Sequence, residues 1–105
     1  MEEITFTEKV YALCRKIPRG KVTTYAEIAR ALDCNAYQAV GNALKSNPYA
    51  PVVPCHRVVK SNGRIGGFKG KTQGKAIHEK IKLLETEGVE IIGSKVNLAK
   101  HLFRF

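Results

Sequence analysis

One cysteine in this chain stands where a thiol could act as a nucleophile. Cys55 lies between Pro54 and His56, with Arg57 next, in a run from Asn47 to Val59 that also carries Pro48 and Pro51 and is too rich in proline for a central strand. A thiol beside an imidazole and a guanidinium, in irregular chain, is placed where its thiolate can be stabilised. Adjacent residues of an extended chain point to opposite sides, so contact between Cys55 and His56 requires a turn or an intervening water. On residue types alone, an activated nucleophile and an incidental Cys-His neighbour pair both stand. The other two cysteines differ. Cys14 falls on a helical apolar stripe and is expected as a buried, inert thiol, and Cys34 in a polar turn as a structural or exposed one. With no CxxC pair and no histidine at zinc-finger spacing, neither a disulfide framework nor a metal site is expected. A reducing intracellular setting follows.

The elements that must position Cys55 are mostly helical. Phe6, Val10, Leu13, Cys14 and Ile17 repeat at helical spacing, with Thr5 and Glu8 as a capping box. Pro18, Arg19 and Gly20 end that helix, and Thr24 with Glu27 caps a second one over Tyr25 to Leu32. A turn at 33–35 leads to a third helix running to about Asn47, with Asn35 and Gln38 as its expected cap and Ala36, Ala39, Val40, Ala43 and Leu44 as its stripe. Two short helices joined by a tight turn are a helix-turn-helix signal. The outward face of the third helix carries Tyr37, Gln38, Gly41, Asn42 and Lys45. A glycine inside a helix costs about 1 kcal/mol relative to alanine, so Gly41 points to close approach of a neighbouring helix or of a ligand.

Beyond the prolines, Val58 to Lys60 and Arg64 to Gly66 flank Ser61-Asn62-Gly63, the pattern of a hairpin and a small wing. A basic loop with Gly66, Gly67, Gly70 and Gly74 precedes a helix over Lys75 to Thr86, whose stripe is Ile77, Ile81 and Leu84 and which stops at Gly88. Val89 to Ile92 and Lys95 to Val96 make a second hairpin around Gly93, before a short turn or helix at Asn97 to Leu102. The expected fold is mainly α with small β hairpins, a winged helix-turn-helix DNA-binding domain.

At 105 residues the chain holds one domain, taken as 1–105 and expected as a monomer. Its apolar stretches are far too short to cross a bilayer and the acidic N-terminus is unlike a secretion signal, so no membrane association is expected. Its formal charge of +9 is concentrated: eight of the 18 Lys and Arg, against one acid, fall between His56 and Lys82. That run suits either a polyanionic partner or a solvated lysine-rich face.

The run Pro54-Cys55-His56-Arg57-Val58 resembles the active-site motif of the O6-alkylguanine-DNA alkyltransferases, the methylated-DNA-protein-cysteine methyltransferases. Further matches follow the family in order and approximate spacing: Gly20-Lys21-Val22-Thr23-Thr24-Tyr25, Ala39-Val40-Gly41, Ser46-Asn47-Pro48, Gly63-Arg64-Ile65-Gly66-Gly67-Phe68 and Leu83-Leu84-Glu85-Thr86-Glu87-Gly88. The resemblance covers almost the entire chain.

It implies direct damage reversal in the cytoplasm, or the nucleus of a eukaryote. Duplex DNA containing O6-alkylguanine is the partner, the base is flipped into a pocket, and its alkyl group moves irreversibly onto the protein's own cysteine, without a cofactor. By motif position Cys55 is the acceptor, and His56 acts on it as base through a water. Glu87 orients and charges His56, Tyr25 gives its phenol proton to the leaving guanine, and Asn47 braces the turn. The chemistry fits, because a free thiol is only a few per cent thiolate at neutral pH and guanine leaves poorly unless its developing charge meets a donor.

The resemblance also implies a third helix that enters the minor groove with Ala36, Tyr37, Gly41 and Asn42, while Lys45, Arg57, Arg64 and Lys69 are phosphate contacts that add affinity without sequence readout. Gln38 stands where the family usually has an arginine finger that fills the gap left by the flipped base. Phe68, where many relatives have tyrosine, can pack near that base. The separate N-terminal domain of many members, with its zinc site in some of them, has no counterpart in the 105 residues. Two alternatives belong to other classes: a sensor similar to the alkyltransferase-like proteins, which share the single-domain form, usually replace the cysteine and hand the bound lesion to another pathway, and a winged-helix transcription regulator with an incidental cysteine.

Overall fold

The structure, a computed structural model, describes residues 5–49, 52–68, 71 and 73–105. Three helices open the chain: α1 (Phe6–Cys14), α2 (Tyr25–Ala31) and α3 (Tyr37–Lys45). Thr5 caps α1 by accepting the Glu8 N–H at 3.1 Å, and Thr24 caps α2 by accepting that of Glu27 at 3.1 Å, as the two Thr-x-x-Glu patterns require. The expected cap at Asn35 does not form. The N-cap of α3 is Ala36 with no side-chain bond, because the Asn35 carbonyl is drawn into the turn by the Tyr37 N–H at 2.9 Å. That turn passes through Asp33 at φ 55, a left-handed position that an aspartate tolerates.

Helices this short are marginal alone and are held by packing. Val10 and Cys14 of α1, Ile28 and Ala29 of α2, and Val40 of α3 are all fully buried in one cluster with Val53, Cys55, Val58 and Phe68. Each large aliphatic side chain there contributes about 1.5–3 kcal/mol. Tyr11 ties α1 to α3 through its hydroxyl, which donates to the Ala43 carbonyl at 2.9 Å.

A single 3-10 turn, Cys55–Arg57, feeds the strand β2 (Val58–Val59), which pairs in parallel with β1 (Thr23–Thr24) through Thr23 opposite Val58 and Thr24 opposite Val59. The wing hairpin expected around Ser61-Asn62-Gly63 is therefore only a turn. Gly63, at φ 88, donates to the Lys60 carbonyl and the Lys60 N–H returns to Arg64. The flanks pair elsewhere, β2 with β1 and Arg64 with Lys95.

Helix α4 (Lys75–Thr86) packs over the cysteine turn and covers a second apolar cluster of Val22, Val59, Ile65, Leu84, Val89 and Val96. The hairpin of β3 (Ile91–Ile92) and β4 (Lys95–Val96) forms as expected, followed by α5 (Leu98–His101). His101 locks the end of the chain onto its middle: Nε2 accepts the Glu90 N–H at 3.0 Å, so Nδ1 carries the proton toward the Gly20 carbonyl 3.0 Å away. No helix among the described residues is long and apolar enough to cross a membrane. The architecture is mainly helical with small sheets, and α2 and α3 form a helix-turn-helix-like unit.

Candidate active site

The 3-10 turn supplies the bend that Cys55 and His56 need, since three residues per turn separate neighbours by about 120° where a strand separates them by about 180°. It is closed by the Arg57 N–H on the Pro54 carbonyl at 2.9 Å. Asn47 braces the approach to the turn from both directions. Its Nδ2 donates to the Val53 carbonyl at 2.9 Å and its Oδ1 accepts the Tyr49 N–H at 2.9 Å. Cys55 keeps 8% of its surface accessible, and His56 keeps 2%.

Glu87, the C-cap of α4, reaches into this turn and binds two of its side chains at once. Arg57 grips the carboxylate in a fork, Nε to Oε1 at 2.9 Å and Nη2 to Oε2 at 2.7 Å, and His56 Nε2 lies 3.1 Å from Oε2. A third Arg57 nitrogen, Nη1, donates to the Ile17 carbonyl at 2.8 Å. Arg57, expected among the phosphate contacts, is thus directed inward. Burial alone pushes the Glu87 carboxyl up, but the hydrogen bonds from Arg57 and His56 hold it below the ordinary carboxylate range.

Burial acts in the other direction on His56 and lowers it below the ordinary imidazole range, outweighing the pull of Glu87, with the charges of Arg57 and Lys80 adding to the fall. The carboxylate therefore orients His56 without charging it. Because a carboxylate only accepts, the neutral ring carries its proton on Nε2 and leaves Nδ1 as the basic nitrogen.

Tyr25, the first residue of α2, is partly buried, and its phenol is raised first by that burial and then by the nearby Cys55 and Cys14 thiols. It keeps its proton at neutral pH. A Cβ placed on Gly66, at φ 74, would stand 3.2 Å from the Tyr25 hydroxyl, so the glycine makes room for the phenol. Tyr25 also lines an open hollow of about 320 Å³ with Ala26, Tyr37, Lys60 and Ser61, which joins the tyrosine to the face of α3. Cys14 is fully buried and pushed up to about 12 by burial and then by Cys55, the inert thiol expected.

On the surface around α3, Ala36, Tyr37, Gln38, Asn42 and Lys45 are exposed and Gly41 is half-buried. Among the described residues, and apart from the backbone of α3 itself, a Cβ at Gly41 would meet no atom within 4 Å, so no described neighbouring helix accounts for the glycine. Arg64 is exposed, Lys69 lies outside the described residues, and Phe68 is buried in the main cluster at 5% exposure. The structure thus gathers Cys55, His56, Glu87 and Arg57, places Tyr25 within electrostatic reach of the thiol, and sets the α3 residues on a separate outer face.

Lys80, one cation of the basic run between His56 and Lys82, has no exposed surface. Its Nζ donates to the carbonyls of Val58 at 2.8 Å, Ile65 at 2.6 Å and Gly67 at 3.0 Å. The signal was available, because Lys80 stands three residues after Ile77 and four before Leu84, on the apolar stripe of α4.

Residues 5–89 match the family model described as the DNA-binding domain of 6-O-methylguanine DNA methyltransferase. A methylated-DNA–protein-cysteine methyltransferase of Thermococcus sibiricus is 46% identical over 81% of this chain and 45% of its own length. A Candida glabrata protein of the same name is 49% identical over 81% of this chain and 39% of its own. The chain spans less than half the length of these two curated relatives. Among solved structures, S. pombe Atl1 in complex with damaged DNA containing O6-carboxymethylguanine superposes with a TM-score of 0.83 at 36% identity, over 100% of both chains. The O6-methylguanine-DNA methyltransferase of Pyrococcus kodakaraensis gives 0.70 at 46% identity, over 82% of this chain and 47% of that one.

Proposed function

Because the chain belongs to the O6-methylguanine DNA methyltransferase family through its DNA-binding domain, we propose that it repairs duplex DNA by moving the alkyl group of O6-alkylguanine irreversibly onto Cys55. In this reading His56 Nδ1 takes the thiol proton through a water. The Cys55 sulfur then forms a bond to the alkyl carbon, the bond from that carbon to O6 breaks, and its electron pair passes into the purine. Tyr25 gives its proton to the developing guanine anion, and the proton held by His56 returns to the tyrosine through solvent. The thioether is stable, so each molecule acts once.

The supporting observation is the Glu87 carboxylate bound to His56 and Arg57 together, which fixes the tautomer a base needs beside a shielded thiol. For DNA, α3 offers Tyr37, Gln38, Asn42 and Lys45 around a glycine that the fold itself does not require, suited to close approach in a narrow groove. Gln38 fills the gap behind the flipped base by hydrogen bonding, and Arg64 and Lys69 meet phosphates. A mispaired alkylguanine lowers the flipping cost of a few kcal/mol.

Intact-protein mass after incubation with O6-methylguanine duplex tests this directly. One added methyl, absent with unmodified duplex and in Cys55→Ala, is the expected result. The end-to-end match with Atl1 favours a second reading, a sensor that binds the lesion without transfer. Lesion-selective binding with no gain of mass would select it.

A further inference from the structure

A fully buried lysine with no carboxylate partner among the described residues has a reason to be where it is. Lys80 binds three carbonyls, one for each N–H of its ammonium, where the neutral amine would have only two to offer. Those carbonyls are not scattered. Val58 follows the cysteine turn directly, and Ile65 and Gly67 flank Gly66, the residue whose missing side chain makes room for the Tyr25 hydroxyl. One side chain therefore spans the two halves of the site, the segment that carries the thiol and the segment that abuts the phenol.

We propose that Lys80 is a positioning residue for alkyl transfer, its ammonium fixing the cysteine turn against the Ile65–Gly67 segment while holding a positive charge within electrostatic reach of Cys55. The proposal deepens the alkyltransferase reading and rests on it. The titratable groups facing Lys80 are Cys55 and His56, both on the turn that α4 packs against, while Glu87 at the end of Lys80's own helix is engaged by His56 and Arg57. The charge acts on both faces of the proton transfer. A positive charge beside a thiol in general favours its thiolate, and here the same charge adds to the burial that lowers His56 and leaves its ring free to accept the thiol proton. Burial brings Lys80 itself down to about 7, with the Cys55 thiolate acting in the opposite direction. A thiolate at Cys55 thus favours the Lys80 ammonium.

The test uses Lys80→Met and Lys80→Gln in the full chain, with three readouts: single-turnover methyl transfer at saturating O6-methylguanine duplex, affinity for that duplex, and the pH midpoint of Cys55 alkylation by iodoacetamide, located by peptide mass. The expected result for Lys80→Met is a loss of transfer on the order of a hundredfold, affinity changed by no more than about threefold, and a midpoint raised by about one unit. Lys80→Gln, with two N–H donors and no charge, recovers part of the rate and none of the midpoint shift. Folded variants with unchanged rate overturn the proposal, and so does a slower rate with an unmoved midpoint, which a purely structural lysine would give. Should neither variant fold, the Lys80 Nζ titration followed by NMR in Cys55→Ser decides. A midpoint below that of the unsubstituted protein supports the coupling, and an unmoved one overturns it. If the unsubstituted protein transfers no methyl, the alkyltransferase reading fails by itself, and the iodoacetamide profile still decides the role of Lys80.

Discussion

The cysteine turn and the outer face of α3 treat polar groups in opposite ways. Around the turn they turn inward and each binds several partners: Glu87 binds His56 and Arg57, Lys80 three carbonyls, and Asn47 both ends of its segment. On α3 the side chains Tyr37, Gln38, Asn42 and Lys45 stand in solvent around a glycine with empty space over it. A buried network loses heavily when one member is removed, because the others stay behind without partners. An exposed face loses little stability and changes what it can bind. On the proposed function, chemistry and recognition should be separable by mutation, and each substitution below should strike one side and spare the other.

Glu87→Ala carries the largest expected effect. It leaves the partly buried Arg57 without its carboxylate and His56 without its orienting partner, so stability falls by about 1–3 kcal/mol. Transfer slows by about two to four orders of magnitude. Chemical denaturation and single-turnover kinetics read the two losses, while duplex affinity measured on the folded fraction stays nearly constant.

Acid should act on the same side. His56 and Glu87 both titrate below their unfolded values, so each binds protons more readily in the unfolded chain. Their stabilisation is fully present above the ordinary imidazole range and is lost as pH falls through it and then through the carboxylate range. Lys80, brought down to about 7, adds a fall in the same direction at the top of this window and no slope once the pH is well below 7. Thermal melts from pH 7 down to pH 4 should show a falling Tm, and the transfer rate should begin to fall with the protonation of His56, before the fold is lost. A melt that is flat between pH 7 and pH 5 would remove the case for a neutral, buried His56.

Gly41→Ala probes the other side. With no atom in the way and a better helix former in place, the free protein should gain up to about 1 kcal/mol. Duplex affinity should drop several-fold, as measured by fluorescence anisotropy, if the added methyl lies on the face that the proposed function offers to DNA. Unchanged affinity would take α3 out of the contact. Gln38→Arg has the smallest expected effect, a few-fold faster repair on duplex with no change in the iodoacetamide reactivity of Cys55. No change in repair rate would count against Gln38 as the residue that fills the gap.

The helices were legible in the sequence because their signals are local: Thr5 and Thr24 capping, Gly88 stopping, and apolar residues returning every three or four positions. The pairing of β1 with β2 was not, since two-residue strands 35 positions apart carry no pattern, and the Ser61-Asn62-Gly63 turn suggested a local partner instead. Asn35 failed as a cap because its backbone was already committed to the turn. Within the site, residue types pointed to Cys55 and His56, while the order of family motifs brought in Glu87, Tyr25 and Asn47. Charge misled. Arg57 and Lys80 were counted with the basic surface, although one is tied to a carboxylate and the other lies on an apolar stripe. A count of cations does not say which of them find partners inside.

The most direct measurement is a paired count in one reaction, S-methylcysteine at position 55 by peptide mass and O6-methylguanine remaining in the duplex by nucleoside analysis. The expected result is one methyl on Cys55 for each lesion restored to guanine, with the reaction stopping when one equivalent of protein has been consumed. Lesions that persist in a stable complex while Cys55 stays unmodified would contradict it.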